Sequence, residues 1–126
     1  MTVPEVRELL ERGQRQIQAA RSLSEDGFQA EAISLAYYAV FFAAEGALLA
    51  LGETRSKHSG VISAFGRLLI KGGGFRADVG LSLRRLFQLR NEAVYEGAPV
   101  DAETARSAIA DADSFVVAVE AWLKAR

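Results

Sequence analysis

The chain contains no cysteine. That excludes disulfides, thiolate metal sites and a cysteine nucleophile, and gives no sign of an oxidising compartment. A single histidine cannot build a histidine-rich metal centre, and no cofactor motif stands out. Two prolines and no alternating β-branched runs argue for an all-α protein. The opening stretch, MTVPEVRELLERGQRQ, is charged from the start and lacks the apolar core of a signal peptide. A cytoplasmic location is therefore expected. No internal repeat and no long linker divides the 126 residues, so 1–126 reads as one domain with one core.

What is present centres on one apolar helix, Ala30 to Leu51, AEAISLAYYAVFFAAEGALLAL. At 100° per residue its apolar positions cover nearly the whole circumference. One narrow polar lane remains, holding Glu31, Ser34, Tyr38 and Glu45. A helix apolar nearly all round is buried on most sides. From Leu35 to Leu51 only Glu45 is charged, but that run falls short of the ~20 apolar residues a bilayer core requires. Its tyrosines and its glutamate also favour a buried core helix over a membrane span.

Charge is balanced overall, at −1, but not along the chain. Between Arg55 and Arg90 eight cations face one acid, Asp78, a local excess of +7. Such asymmetry suggests an anionic partner if the cations form a patch, and nothing if they scatter round two helices. Lys57, Arg84, Arg85 and Arg90 are the candidates for contact with a nucleotide or nucleic acid.

Periodicity gives five helices. The first runs from about Pro4, suited to a first turn, to Ser24, with Gly27 as its stop. The second ends at Gly52. A third spans about Lys57 to Lys71 with Ser56 as N-cap. Gly72-Gly73-Gly74 lacks the strand that a phosphate-binding loop needs and reads as a hinge or disordered loop. A fourth helix spans about Asp78 to Glu96, closed by Gly97-Ala98-Pro99. The fifth starts at Asp101 as N-cap and buries Ala105, Ala108, Ile109, Ala112, Phe115, Val116, Val119 and Leu123. Short connections make this an up-and-down bundle of about five helices. Tyr37, Tyr38, Phe41 and Phe42 read as core. Trp122, at the edge of the last helix's buried face, suits a subunit interface.

One residue does not fit its face. Val79, Leu83, Leu86, Phe87, Ala93 and Val94 define the apolar stripe of the fourth helix, and Arg90 falls in its middle. Arg84, Gln88, Asn91, Glu92 and Tyr95 point away from it. A guanidinium cannot lose its charge and is costly to bury unpaired. It either meets a carboxylate from the polar lane, Glu31 or Glu45, or sits where an anion comes to it.

The run Arg90-Asn91-Glu92-Ala93-Val94-Tyr95 resembles the signature of HEPN domains: an Arg, a polar residue, three more residues, then a His. Ala36-Tyr37-Tyr38-Ala39, Lys57-His58-Ser59-Gly60-Val61-Ile62, Phe87-Gln88-Leu89-Arg90 and the Ala105 to Phe115 helix extend the likeness to small stand-alone prokaryotic members. It covers roughly Ala30 to Leu123. The resemblance implies a dimerising helical bundle. It also implies, in many members, metal-independent ribonuclease activity from paired Arg and His residues in a cleft between subunits. Many members are encoded beside a small nucleotidyltransferase as a toxin–antitoxin pair. Arg90 and Asn91 match the pattern, whereas Tyr95 stands where the His should be.

That replacement has a chemical meaning. Cleavage of RNA without metal needs one group to take the 2′-hydroxyl proton and another to protonate the leaving oxygen. Histidine does both near neutral pH, whereas a tyrosine phenol is a poor base there. His58 is the other candidate. A helix start depresses a histidine's pKa, which suits a base, and a capping or packing role is its alternative. The expectation is a homodimeric HEPN protein with little or no catalysis, binding RNA, a nucleotide or a nucleotidyltransferase partner. Two alternatives stand beside it: an active metal-independent endoribonuclease using Arg90, Asn91 and Tyr95 or His58, and a purely structural dimerising module. Neither metal, cofactor nor membrane enters any of the three.

Overall fold

A computed structural model describes residues 3–54 and 57–126. Helix α1, Pro4–Glu25, buries Val6, Leu10, Gly13, Ile17 and Ala20, a stripe at steps of three and four. Its chain reverses through Gly27 at φ 91°, a left-handed turn that costs glycine little. Helix α2, Gln29–Ala50, buries twelve of its 22 residues and touches every other α-helix of the bundle. It is long and apolar enough to cross a membrane by length and composition, but two-thirds of that apolar window is buried against its neighbours. The expected polar lane is real: Glu31, Ser34, Tyr38 and Glu45 are among its less buried positions.

Beyond α2 the chain departs from simple α-helices. Helix α3, His58–Phe65, passes into a π-helical segment, Gly66–Lys71. Helix α4, Ala77–Arg90, does the same at Asn91–Tyr95. The sequence suggests one continuous helix in each place, because apolar spacing alone does not separate the two windings over so short a run. Ser56, expected as the N-cap of the third helix, lies outside the described residues, as does Arg55; Lys57 takes the N-cap position.

The triple-glycine stretch forms a hydrogen-bonded turn. The Gly73 and Phe75 amides both donate to the Leu69 carbonyl. The indole of Trp122 donates to the Gly73 carbonyl at 2.9 Å. A Cβ on Gly73 would lie 2.8 Å from the Leu68 carbonyl oxygen, so the turn is tight enough to demand glycine. Trp122, partly buried, thus anchors this turn. Helix α5, Ala102–Lys124, begins as expected: the Thr104 amide donates to the Asp101 carboxylate at 2.7 Å. Its buried face matches expectation except that Leu123 is only partly covered.

Two glycines set the spacing of α1 against α2. A Cβ at Gly13 would stand 3.0 Å from the Ala39 carbonyl oxygen, whereas one at Gly46 would meet Leu9 and Val6 at 3.6 Å. The first contact is too close for a side chain, and the second is ordinary van der Waals packing.

Candidate anion-binding site at Arg90

The last turn of α4 lays Arg90 against the middle of α2. Only 6% of the residue is exposed. Its Nη1 donates to the Tyr38 hydroxyl at 3.0 Å and its Nη2 to Asn91 Oδ1 at 3.1 Å. Four rings surround its charge, with centroids 4.7 Å away for Tyr37, 5.5 Å for Tyr38, 5.5 Å for Phe87 and 5.3 Å for Tyr95. Its Nε is buried with no hydrogen-bond partner among the described residues.

The expected carboxylate partners are not there. No described carboxylate lies within ion-pair distance of the guanidinium. Glu31 instead borders a shallow cleft with Ala93 and Val94. Glu45 sits near Arg12, which only partly offsets the burial that raises its carboxyl pKa. A helical wheel gives angle and not height. Tyr38, on the same lane, stands level with Arg90, while Glu31 and Glu45 lie seven residues to either side, about 10 Å along the axis.

Tyr95 corrects a second expectation. At 100° per residue it points about 140° away from Arg90. A π-helical turn closes on the fifth residue rather than the fourth, at about 80° per residue, and swings Tyr95 back to about 40°. The Glu96 amide donates to the Asn91 carbonyl at 3.1 Å, a bond of that span. Tyr95 therefore covers Arg90 with one face while remaining 72% exposed.

His58 opens α3 and joins the same cluster. Its ring lies 4.6 Å from Phe41, 5.5 Å from Tyr37 and 6.1 Å from Phe87. Tyr37 and Phe87 are rings it shares with Arg90. The Tyr37 hydroxyl and His58 Nδ1 are 2.6 Å apart. Tyr37 is fully buried, and burial holds its phenol well above the ordinary tyrosine pKa despite the Arg90 charge. The phenol stays protonated, and which group donates in this bond follows the imidazole tautomer. Burial first, and Arg90 second, hold His58 below its usual pKa. The depression expected from a helix start is present, but with those causes. The sequence carried no signal for the Tyr37–His58 bond.

The remaining cations scatter in part. Arg85 is tied to Asp111 at 2.7 Å and to the Ser82 hydroxyl. Arg76 is tied to Asp78 at 2.7 Å. Arg84 faces a separate groove with Arg67 and Lys71. Lys57, exposed, adjoins His58 in the chain. The cluster thus offers a fixed guanidinium and a neutral imidazole that share the Tyr37 and Phe87 rings. Such groups suit an oxyanion or phosphate oxygen.

The HEPN domain family model matches residues 6–122. The chain belongs to the HEPN family. Relatives of this HEPN protein include UPF0332 protein glr0978 of Gloeobacter violaceus, 36% identical over 95 residues and 75% of each chain. Another, from Methanocaldococcus jannaschii and named "Putative toxin MJ0605", is 32% identical over 95% of this chain and 90% of its own. The crystal structure of TT1696 from Thermus thermophilus superposes with a TM-score of 0.81 at 20% identity, covering 95% of this chain and 99% of that one. That likeness is one of fold. The expected family and five-helix architecture are borne out.

Proposed function

We propose that this HEPN protein binds a phosphate of RNA or a nucleotide at Arg90, with little or no catalysis. In this reading it is a cytoplasmic homodimer and the HEPN partner of a nucleotidyltransferase in a toxin–antitoxin-type pair. The carrying observation is the uncompensated charge of Arg90, which has two neutral hydrogen-bond acceptors and no carboxylate among the described residues. A buried cation of this kind is expensive to keep, and an incoming anion supplies what the fold withholds. Two relatives with toxin in their names support the paired context. Val94 and Tyr95, exposed beside Arg90, support a second subunit over the site. Low catalysis is supported by Tyr95, a poor base at neutral pH, standing over Arg90 where a histidine would serve.

A second reading, a metal-independent endoribonuclease, is favoured by the closeness of His58 to Arg90 in one aromatic cluster. The purely structural reading loses the Arg90 ion pair on which it leaned. The deciding experiment incubates purified protein with a labelled RNA pool in excess EDTA, wild type beside Arg90→Ala and Tyr95→Phe. The expected result is no cutting, with RNA retained on a filter by wild type and released by Arg90→Ala. Cleavage that disappears in a still-helical Arg90→Ala protein would establish the nuclease instead. Neither cutting nor retention would sink both readings.

A further inference from the structure

The basic segment leaves a second feature that the Arg90 cluster does not use. The π-helical segment after α3 and the first half of α4 enclose an open groove of about 480 Å³. Arg67, Lys71 and Arg84 stand round it, and Ile62, Ile70 and Leu81 form its apolar wall. No carboxylate lines it among the described residues. None of the three cations makes an ion pair or side-chain hydrogen bond among the described residues. Arg67 and Lys71 both come from the π-helical segment, so it brings two like charges to the groove. Leu81 is 58% exposed in their midst. Gly80 lets the two walls close: a Cβ there would lie 2.5 Å from Ile70 Cδ1.

We infer that this groove receives an acidic amphipathic helix from a partner protein. The groove runs between two helical segments, the setting in which an amphipathic helix lays its apolar side between anchors. Carboxylates on the helix flanks would meet Arg67, Lys71 and Arg84, and its apolar residues would cover Ile62, Ile70 and Leu81. The chemistry favours a peptide over a nucleic acid. Single-stranded nucleic acids bind by stacking bases on exposed rings, and the ring that lines this groove, Phe65, is 1% exposed. Isolated phosphates would leave Leu81 in water.

The test is fluorescence anisotropy on the full chain with three labelled probes. One is an amphipathic peptide of roughly four turns, leucines on one face and glutamates elsewhere. The others are a scrambled peptide of the same composition and an oligouridine. Wild type is expected to bind the amphipathic peptide about tenfold more tightly than the scrambled one. Arg67→Glu with Lys71→Glu, and Leu81→Asp alone, should each weaken it about tenfold. Arg90→Ala should leave it unchanged, which separates this outcome from the RNA experiment. All altered groove positions are exposed, and circular dichroism checks that the variants stay helical. The inference is overturned if the peptide does not bind, if the scrambled peptide binds equally, or if Leu81→Asp has no effect. Oligouridine binding that depends on these cations overturns it in favour of a nucleic-acid track.

Discussion

Arg90 is an arginine that the fold tolerates more than it uses. Contact with a ring face in a desolvated site contributes about 2 kcal/mol, and each of its two hydrogen bonds, charged on the donor side, a similar amount. Against this stand several kcal/mol for removing the guanidinium from water and a further cost for its unpartnered Nε. The balance is near zero or unfavourable. Arg90→Met, similar in length and apolar, should therefore fold at least as stably as wild type and gain about 1 kcal/mol. It should also lose RNA retention. Urea denaturation of both proteins reads the difference. A loss of about 3 kcal/mol would instead mark the cation as structural. The anomaly itself was legible in the sequence, since an arginine in the centre of an apolar stripe is visible on any helical wheel. Its partners were not, because Glu31, Tyr38 and Glu45 share one lane and only the height of α4 against α2 chooses among them.

At the scale of the element, the closeness of α1 to α2 makes one kind of substitution act in opposite directions. Both Gly13 and Gly46 sit inside helices, where alanine is preferred by about 1 kcal/mol. At Gly13 the new methyl would press on the Ala39 backbone carbonyl at 3.0 Å, which cannot swing aside as a side chain would. Gly13→Ala should destabilise by about 1–3 kcal/mol. Gly46→Ala meets its neighbours at 3.6 Å and should stabilise by up to about 1 kcal/mol. Thermal melts of the two variants should move to either side of wild type. Helix bounds and buried faces were readable from spacing because α1, α2 and α5 keep a single winding throughout. The π-helical segments were not readable. Their winding is chosen by packing, and a fixed angle per residue sent Tyr95 to the wrong side of the helix.

For the whole molecule, acid is where the buried cluster becomes a liability. His58 ionises in the unfolded chain near ~6.5 and below that when folded. The unfolded state therefore takes up the proton first as pH falls. Stability linked to His58 is fully present above the unfolded value and is lost as pH drops through the folded one. Glu45, raised by burial, acts the other way and in a lower window, near the carboxylate range. Urea midpoints should fall from about pH 7.5 towards about pH 5.5, a span that brackets the histidine range, and His58→Gln should flatten that slope. The sequence showed an excess of positive charge between Arg55 and Arg90, but not how it divides. The described cations part into one buried residue, two paired to aspartates, three round a groove and one beside His58. That division follows from which helix faces meet, a property of the assembled bundle.

The π-helical segment after Arg90 also bears on chain length. It holds one more residue than an α-helical turn would need to bring the chain back to the same side. Removing one residue between Asn91 and Val94 would let the segment relax to α winding and place the tyrosine four positions after Arg90, again about 40° away. This short stretch is thus a site where the chain can shorten by one and keep its arginine and its tyrosine together. A deletion within the preceding turns of α4 has no such slack, and would rotate Arg90 about 100° out of its aromatic cluster.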